Sequence, residues 1–178
     1  MRKIGIYVDG SAPVNIATAN NPAGWGVVVV ENPTENHDGG KILAAYAGPV
    51  VTDDDDLDHL GAEVGSNNTG ELSAIWWGMY ILRARLSEIF MNEDEAFKIT
   101  IYGDSEYAGK MANGTWKPKE NKELVAEVRK LWELSQLTTG FSLVWAHVRA
   151  HQGHYYNELA DKLANIGVGL DAVTEQVV

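Results

Sequence analysis

The spacing of apolar residues changes along this chain in a fixed order, and that order narrows the fold more than any single motif. Residues Lys3–Asp9 alternate, with Ile4, Ile6 and Val8 on one face and Gly5, Tyr7 and Asp9 on the other, which is the two-residue repeat of a strand. Gly10 and Ser11 predict a turn that closes it. Trp25–Glu31 and Lys41–Ala47 read as two further strands on either side of the turn-rich stretch 32–40, so three consecutive strands on short connections predict an antiparallel meander. At Thr69 the repeat becomes helical: Leu72, Ile75, Trp76, Met79, Leu82 and Leu86 recur at three and four residues, to about Phe90. Lys98–Tyr102 alternates again and runs into Gly103-Asp104, after which a short helix is expected. Residues 121–137 form an amphipathic helix carrying Leu124, Val128, Leu131 and Leu134. Phe141–His147 reads as the last strand, and 155–166 as a helix with Leu159, Leu163 and Ile166 inward.

The resulting order, βββ–α–β–α–α–β–α, predicts an α/β fold. Its five-stranded mixed sheet holds three antiparallel strands and then two parallel ones, because strands reached through helical crossovers run parallel to a partner. Ligands of such sheets sit outside the carboxyl ends of parallel strands, which places attention on the chain just after Asp9 and Asp104. The length suits one domain with a single core, expected over residues 1–166, followed by an unassigned tail at 167–178.

Composition excludes several classes. An apolar fraction of 45% with few prolines and no repeat argues against disorder and solenoids. Zero cysteine rules out disulfide partners and thiolate metal sites and fits a reducing, cytoplasmic setting. The apolar run Ile4–Val8 is too short for a signal-peptide core, and no stretch approaches membrane-spanning length. The net charge of −11 opposes a phosphate-binding role on its face. Charge is uneven, however: residues 110–130 hold six basic and three acidic residues, whereas 53–63 hold six acidic residues and no Lys or Arg.

Four segments carry a specific pattern: YVDGS (Tyr7–Ser11), SNNTGEL (Ser66–Leu72), YGDSEY (Tyr102–Tyr107) and HQGHYYNELADKLA (His151–Ala164). Together they resemble the four signature blocks of type 1 ribonuclease H, in that family's order and on its secondary-structure elements, from Ile4 to about Ile166. Each block alone is weak, but four in register are specific because chance would have to supply order, spacing and context together. The resemblance implies a ribonuclease H-like fold and an endonuclease that hydrolyses the RNA strand of RNA–DNA hybrids. It implies two Mg²⁺ ions, or Mn²⁺, held by Asp9, Glu71, Asp104 and Asp161, with products ending in 5′-phosphate and 3′-hydroxyl. Paired hard cations suit phosphodiester cleavage because they stabilise charge on the attacking and leaving oxygens, and Mg²⁺ takes carboxylate oxygens from a few elements while keeping several waters. Taken singly, each carboxylate has a structural explanation as a turn residue or helix-dipole partner; jointly they point to a metal site.

The same resemblance makes His151 a proton-transfer residue, suited by an imidazole that titrates near neutral pH. Asn67 and Asn68 are expected to contact the hybrid's minor groove and ribose hydroxyls, or else to form a turn into the helix capped by Ser66 or Asn68. Ser11, Ser66, Asn121 and Arg149 are further candidate substrate contacts. His147 and His154 are read as structural, and the H-x3-H-x2-H spacing lacks the helical register of zinc-protease motifs. Departures from the family pattern are Glu106 in place of a common Gln, and a basic protrusion reduced to Trp116, Lys117 and Lys119, which together predict weak, salt-sensitive hybrid binding. The acidic stretch 51–65 is read as a solvated loop. Two other readings keep part of this picture: another nuclease of the same fold, resolvase- or exonuclease-like, and a hybrid-binding module without catalysis.

Overall fold

The computed structural model describes residues 1–89, 95–138 and 140–178, and the side chains of all of these except 86–89. In chain order the elements are β1 (Arg2–Ser11), β2 (Gly24–Glu31), β3 (Lys41–Pro49), α1 (Asn67–Ile89), β4 (Phe97–Gly103), α2 (Glu106–Ala112), α3 (Lys122–Gln136), β5 (Phe141–His147), α4 (Tyr155–Val168) and β6 (Thr174–Glu175). They build one sheet in the order β5-β4-β1-β2-β3-β6. β1, β2 and β3 form the antiparallel meander, and β4 and β5 run parallel to β1. The five expected strands are joined by the two-residue β6, which pairs Glu175 with Tyr46 and Thr174 with Ala47 on the outer edge of β3. Arg85 of α1 reaches Glu175 at 3.1 Å and ties that edge to the helix layer.

Strand alternation divides the core. Ile4, Ile6 and Val8 of β1, Val27 and Val29 of β2 and Ile99 and Ile101 of β4 face α1 and α3, while Tyr7, Val28, Val30, Ala45 and Ala47 face α4. Each fully buried Ile or Val on these faces contributes about 1.5–3 kcal/mol. α1 is buried on nearly all sides from Thr69 to Met79 because the sheet lies beneath it and α2 and α3 flank it. The expected apolar stripe of α1 is therefore narrower than the surface it buries. Its inward polar groups are satisfied locally, as where Ser73 Oγ donates to the Thr69 carbonyl at 2.7 Å. Phe90 and the side chain of Leu86, both expected in this helix, lie outside the described residues.

Three expectations are corrected. Gly10 and Ser11 do not turn: they continue β1, paired with Trp25 and Gly24. The strand is prolonged because a partner is present across the sheet, which residue-by-residue turn propensity does not register. Leu134 of α3 is 50% exposed, and Trp132, on nearly the opposite side of the helix, fills the core together with Leu124, Val125 and Val128. In α4, Ile166 faces solvent, and the buried face is Tyr156, Ala160, Leu163, Ala164 and Gly167. Small residues are needed there because α4 lies close on the strands: a Cβ on Gly26 of β2 would sit 2.5 Å from the Ala160 carbonyl oxygen and from the Ala164 nitrogen.

A candidate active site at the carboxyl ends of the parallel strands

Each expected carboxylate arrives by a different route. Asp9 lies on β1, two residues before its end, on the α4 side of the sheet. Asp104 follows the last residue of β4, and Ser105 caps α2 immediately after it, its hydroxyl accepting from the Ala108 amide at 3.1 Å. Glu71 comes from the first turns of α1, which starts where a Ser66 cap accepts the Thr69 amide at 3.1 Å while Thr69 Oγ1 accepts the Ser66 amide at 2.9 Å. The two backbones touch at this point. A Cβ on Gly10 would lie 2.2 Å from the Glu71 nitrogen, so only glycine lets β1 and α1 come close enough to bring Asp9 and Glu71 together.

Oxygens of Asp9, Glu71 and Asp104 lie within 4.8 Å of one another, with Asp9 and Glu71 buried and Asp104 half-buried. Asp161 of α4 is not one of these three but adjoins Asp9 at their edge. A small polar cavity lined by Asp9, Asp104, Ala150, His151, Asn157, Glu158 and Asp161 opens beside them. Burial first, and then neighbouring carboxylates, push Asp9 up to about 7, against opposing hydrogen bonds from Glu71 and the Gly10 amide. Burial likewise pushes Glu71 well above the usual carboxylate range, reinforced by the Asp9 charge. Both shifts share one cause, negative charge crowded together out of water, and positive charge bound among these oxygens would relieve it. The hard oxygen donors match divalent ions of the Mg²⁺ or Mn²⁺ type. His147 lies outside this cluster, its Nε2 3.1 Å from the Asp104 carbonyl oxygen.

The other candidates are distributed around this centre. His151 is exposed at the cavity, in a left-handed backbone conformation with φ 58°. Ser11 Oγ donates to Asn165 Oδ1 at 2.6 Å. Asn67 Oδ1 accepts the Ala12 amide at 2.8 Å, and Asn68 is exposed beside it. Ser66 is a buried helix cap. Asn121 lies apart from the carboxylates, in a cleft of about 580 Å³ with Gly61, Glu63, Lys119 and Lys122, and its amide donates to the Tyr107 hydroxyl at 3.2 Å. Arg149 is exposed in the loop after β5. Trp116, Lys117 and Lys119 line a second cleft of about 560 Å³ with Tyr107 and Met111, and Lys110 stands over the Trp116 ring. Glu106 pairs with Lys110 at 3.9 Å rather than presenting a lone charge. In the acidic loop, Asp53 and Asp56 accept the amides of Asp55 and Asp58, which makes them turn residues.

Asn157 escaped the sequence reading. It is 6% exposed and lines the cavity one helical turn before Asp161, while Asn165, one turn after, binds Ser11. The i, i+4 spacing from Asp161 was the available signal.

A mixed sheet in this order, with acidic side chains gathered at the carboxyl ends of its parallel strands, defines the ribonuclease H-like class of α/β proteins. The family model described as RNase H matches residues 1–168, and the chain belongs to that family as a ribonuclease H enzyme. A ribonuclease H of Nitrosomonas eutropha is 28% identical over 94% of this chain and 91% of its own. RNase H1 from the halophilic archaeon Halobacterium salinarum has the same fold, with a TM-score of 0.60 at 22% identity over 93% of this chain and 97% of that one. LC11-RNase H1, solved in complex with an RNA/DNA hybrid, gives a TM-score of 0.58 at 22% identity over 93% and 96% of the two chains. No described helix is long and apolar enough to cross a membrane.

Proposed function

We propose that this chain hydrolyses the RNA strand of RNA–DNA hybrids with two divalent ions, Mg²⁺ or Mn²⁺, leaving 5′-phosphate and 3′-hydroxyl ends. Residues 1–166 are its catalytic unit. The observation that carries the reading is the gathering of Asp9, Glu71 and Asp104 within 4.8 Å, the first two buried, in a setting that pushes two carboxyls toward protonation and so calls for positive charge. The family membership and the hybrid bound by LC11-RNase H1 supply the substrate class.

Asp9 neighbours both Glu71 and Asp161, so it is the carboxylate that would serve both ions. Glu71 and Asp104 would complete one position and Asp161 the other. When bound, the ions would lower the pKa of a nearby water and stabilise charge on the leaving oxygen. The protein's own part is to hold four carboxylates in register on rigid elements and to keep the phosphate beside them. His151, exposed at the cavity rim, is placed to carry a proton to or from the cleaved ends through its imidazole. Asn67, with its oxygen engaged by the Ala12 amide, has its Nδ2 donor for a base edge or a ribose hydroxyl. Asn68, Ser11, Ser66, Asn121 and Arg149 extend the contact surface along the two strands of the hybrid.

The test is cleavage of labelled hybrid, double-stranded RNA, double-stranded DNA and single strands, each with Mg²⁺, Mn²⁺ or chelator. Cutting confined to the hybrid's RNA, abolished by chelator, is the expected result. Cutting of DNA would move the chain to a resolvase- or exonuclease-like activity, and binding without cutting would make it a hybrid-binding module.

A further inference from the structure

The loop 32–40 between β2 and β3 does not simply turn the chain. It is held in shape by its own hydrogen bonds: the Thr34 amide donates to the Asp38 carbonyl at 2.8 Å, the His37 amide to the Thr34 carbonyl at 3.0 Å, and Thr34 Oγ1 to the Asp38 carboxylate. His37 is its inward point, in a left-handed conformation with φ 59° that costs energy for a residue with a side chain. That cost is offset by contacts on three elements. Its Nδ1 is 2.9 Å from the Tyr7 hydroxyl on β1, and its ring packs edge-on against Tyr102 after 4.8 Å and His154 after 5.0 Å. Its carbonyl accepts the Tyr156 amide at 3.2 Å.

That last bond supplies a missing piece of α4. The helix begins after His154, whose side chain makes no capping bond, so the amides of its first turn need acceptors from elsewhere. His37 gives one from more than a hundred residues away, and Gly39 adds its carbonyl to the Tyr156 hydroxyl. The Tyr7 hydroxyl and the His37 ring thus join β1 to the loop, while the His37 and Gly39 carbonyls join the loop to α4. The first turn of α4 carries Asn157 and Glu158, Asp161 follows one turn later, and His151 sits in the loop directly before it.

We infer that His37 is a positioning residue, which clamps the start of α4 through the Tyr7 hydroxyl and the Tyr156 amide and thereby fixes His151, Asn157 and Asp161 against Asp9. The kinetic part of this inference rests on the proposed hydrolysis of hybrids; the clamp itself does not. A misplacement on the order of 1 Å in a catalytic group costs up to about a hundredfold in rate.

The test compares His37→Ala with His37→Asn, since Asn tolerates positive φ and offers an amide oxygen to Tyr7. In His37→Ala, the Tyr156 amide is expected to exchange its hydrogen at least tenfold faster, the Mn²⁺ dissociation constant measured by calorimetry to rise, and kcat to fall about tenfold with KM for hybrid unchanged. His37→Asn is expected to recover most of each. Unchanged Tyr156 exchange and Mn²⁺ affinity in a folded His37→Ala protein would overturn the clamp, as would a loss in both variants that only follows a fall in folded fraction. If the parent chain fails to cut hybrid while the exchange and Mn²⁺ results hold, the clamp stands and the proposed function falls.

Discussion

Replacing Asp9 by Asn removes one charge from a pocket that crowds three carboxylates within 4.8 Å, and its effect on the metal-free protein follows from the direction of the pKa shifts. The folded pKa of Asp9 is raised to about 7, so between its unfolded value, about 4, and 7 the native state holds more protons than the unfolded chain. Stability contributed by this group is therefore present at low pH and is lost as pH rises through that window. A shift of roughly three units corresponds to about 4 kcal/mol at pH 8. Glu71 shares the same repulsion, so this is an upper figure for a single substitution. In chelator at pH 8, Asp9→Asn is expected to melt higher than the parent by up to roughly 8–16 °C, taking about 2–4 °C per kcal/mol for a chain of this size. At pH 4 the two should melt together. Mg²⁺ should raise the melting temperature of the parent at pH 8 and leave the variant nearly unmoved, with hydrolysis abolished in the variant. Thermal melts by circular dichroism across pH 4–8, with and without Mg²⁺, read all of these. A variant no more stable than the parent at pH 8 would refute the electrostatic account of the pocket. Full activity in the variant would remove Asp9 from the mechanism.

Gly26→Ala is expected to cost about 1–3 kcal/mol by overpacking α4 against β2, and to weaken Mg²⁺ binding because the displaced helix carries Asp161; a parent-like melt and Mg²⁺ titration would show that the close approach has slack. Ser66→Ala should lower stability by about 1 kcal/mol through loss of the α1 cap, read as a fall of about 2–4 °C in the melting midpoint, and an unchanged midpoint would deny the capping role. Hybrid affinity should fall about 10²–10³-fold between 50 and 200 mM salt if about four to six phosphates are neutralised, as the six basic residues of 110–130 would allow. Equal affinity at both salt concentrations, measured by fluorescence anisotropy, would contradict it.

The sequence by itself determined the order and type of the elements up to α4, though not β6, and it singled out Asp9, Glu71 and Asp104, which the fold brings together. Alternation in Lys3–Asp9 and the helical repeat after Thr69 are local consequences of which faces must be buried, and a residue's neighbours in sequence carry that information. Glu71 and Asp161 were legible because their blocks sit on recognisable helices. What lay beyond the sequence was set by distant partners. Ser11 extends β1 because Gly24 pairs with it across the sheet, and Trp132 displaces Leu134 from the core because of where α3 lies against α1 and the sheet. Ser66, open to two readings in sequence, is a buried cap of α1, and Asn157 became a wall of the cavity once α4 was seated on the glycines of β2. The hold of His37 on α4 joins residues more than a hundred positions apart and breaks no local rule that would have announced it. Local pattern fixes which face of an element is apolar; only the packing of one element on another decides how near they come, and the proximity of Asp9 to Glu71 and Asp161 is a matter of that distance.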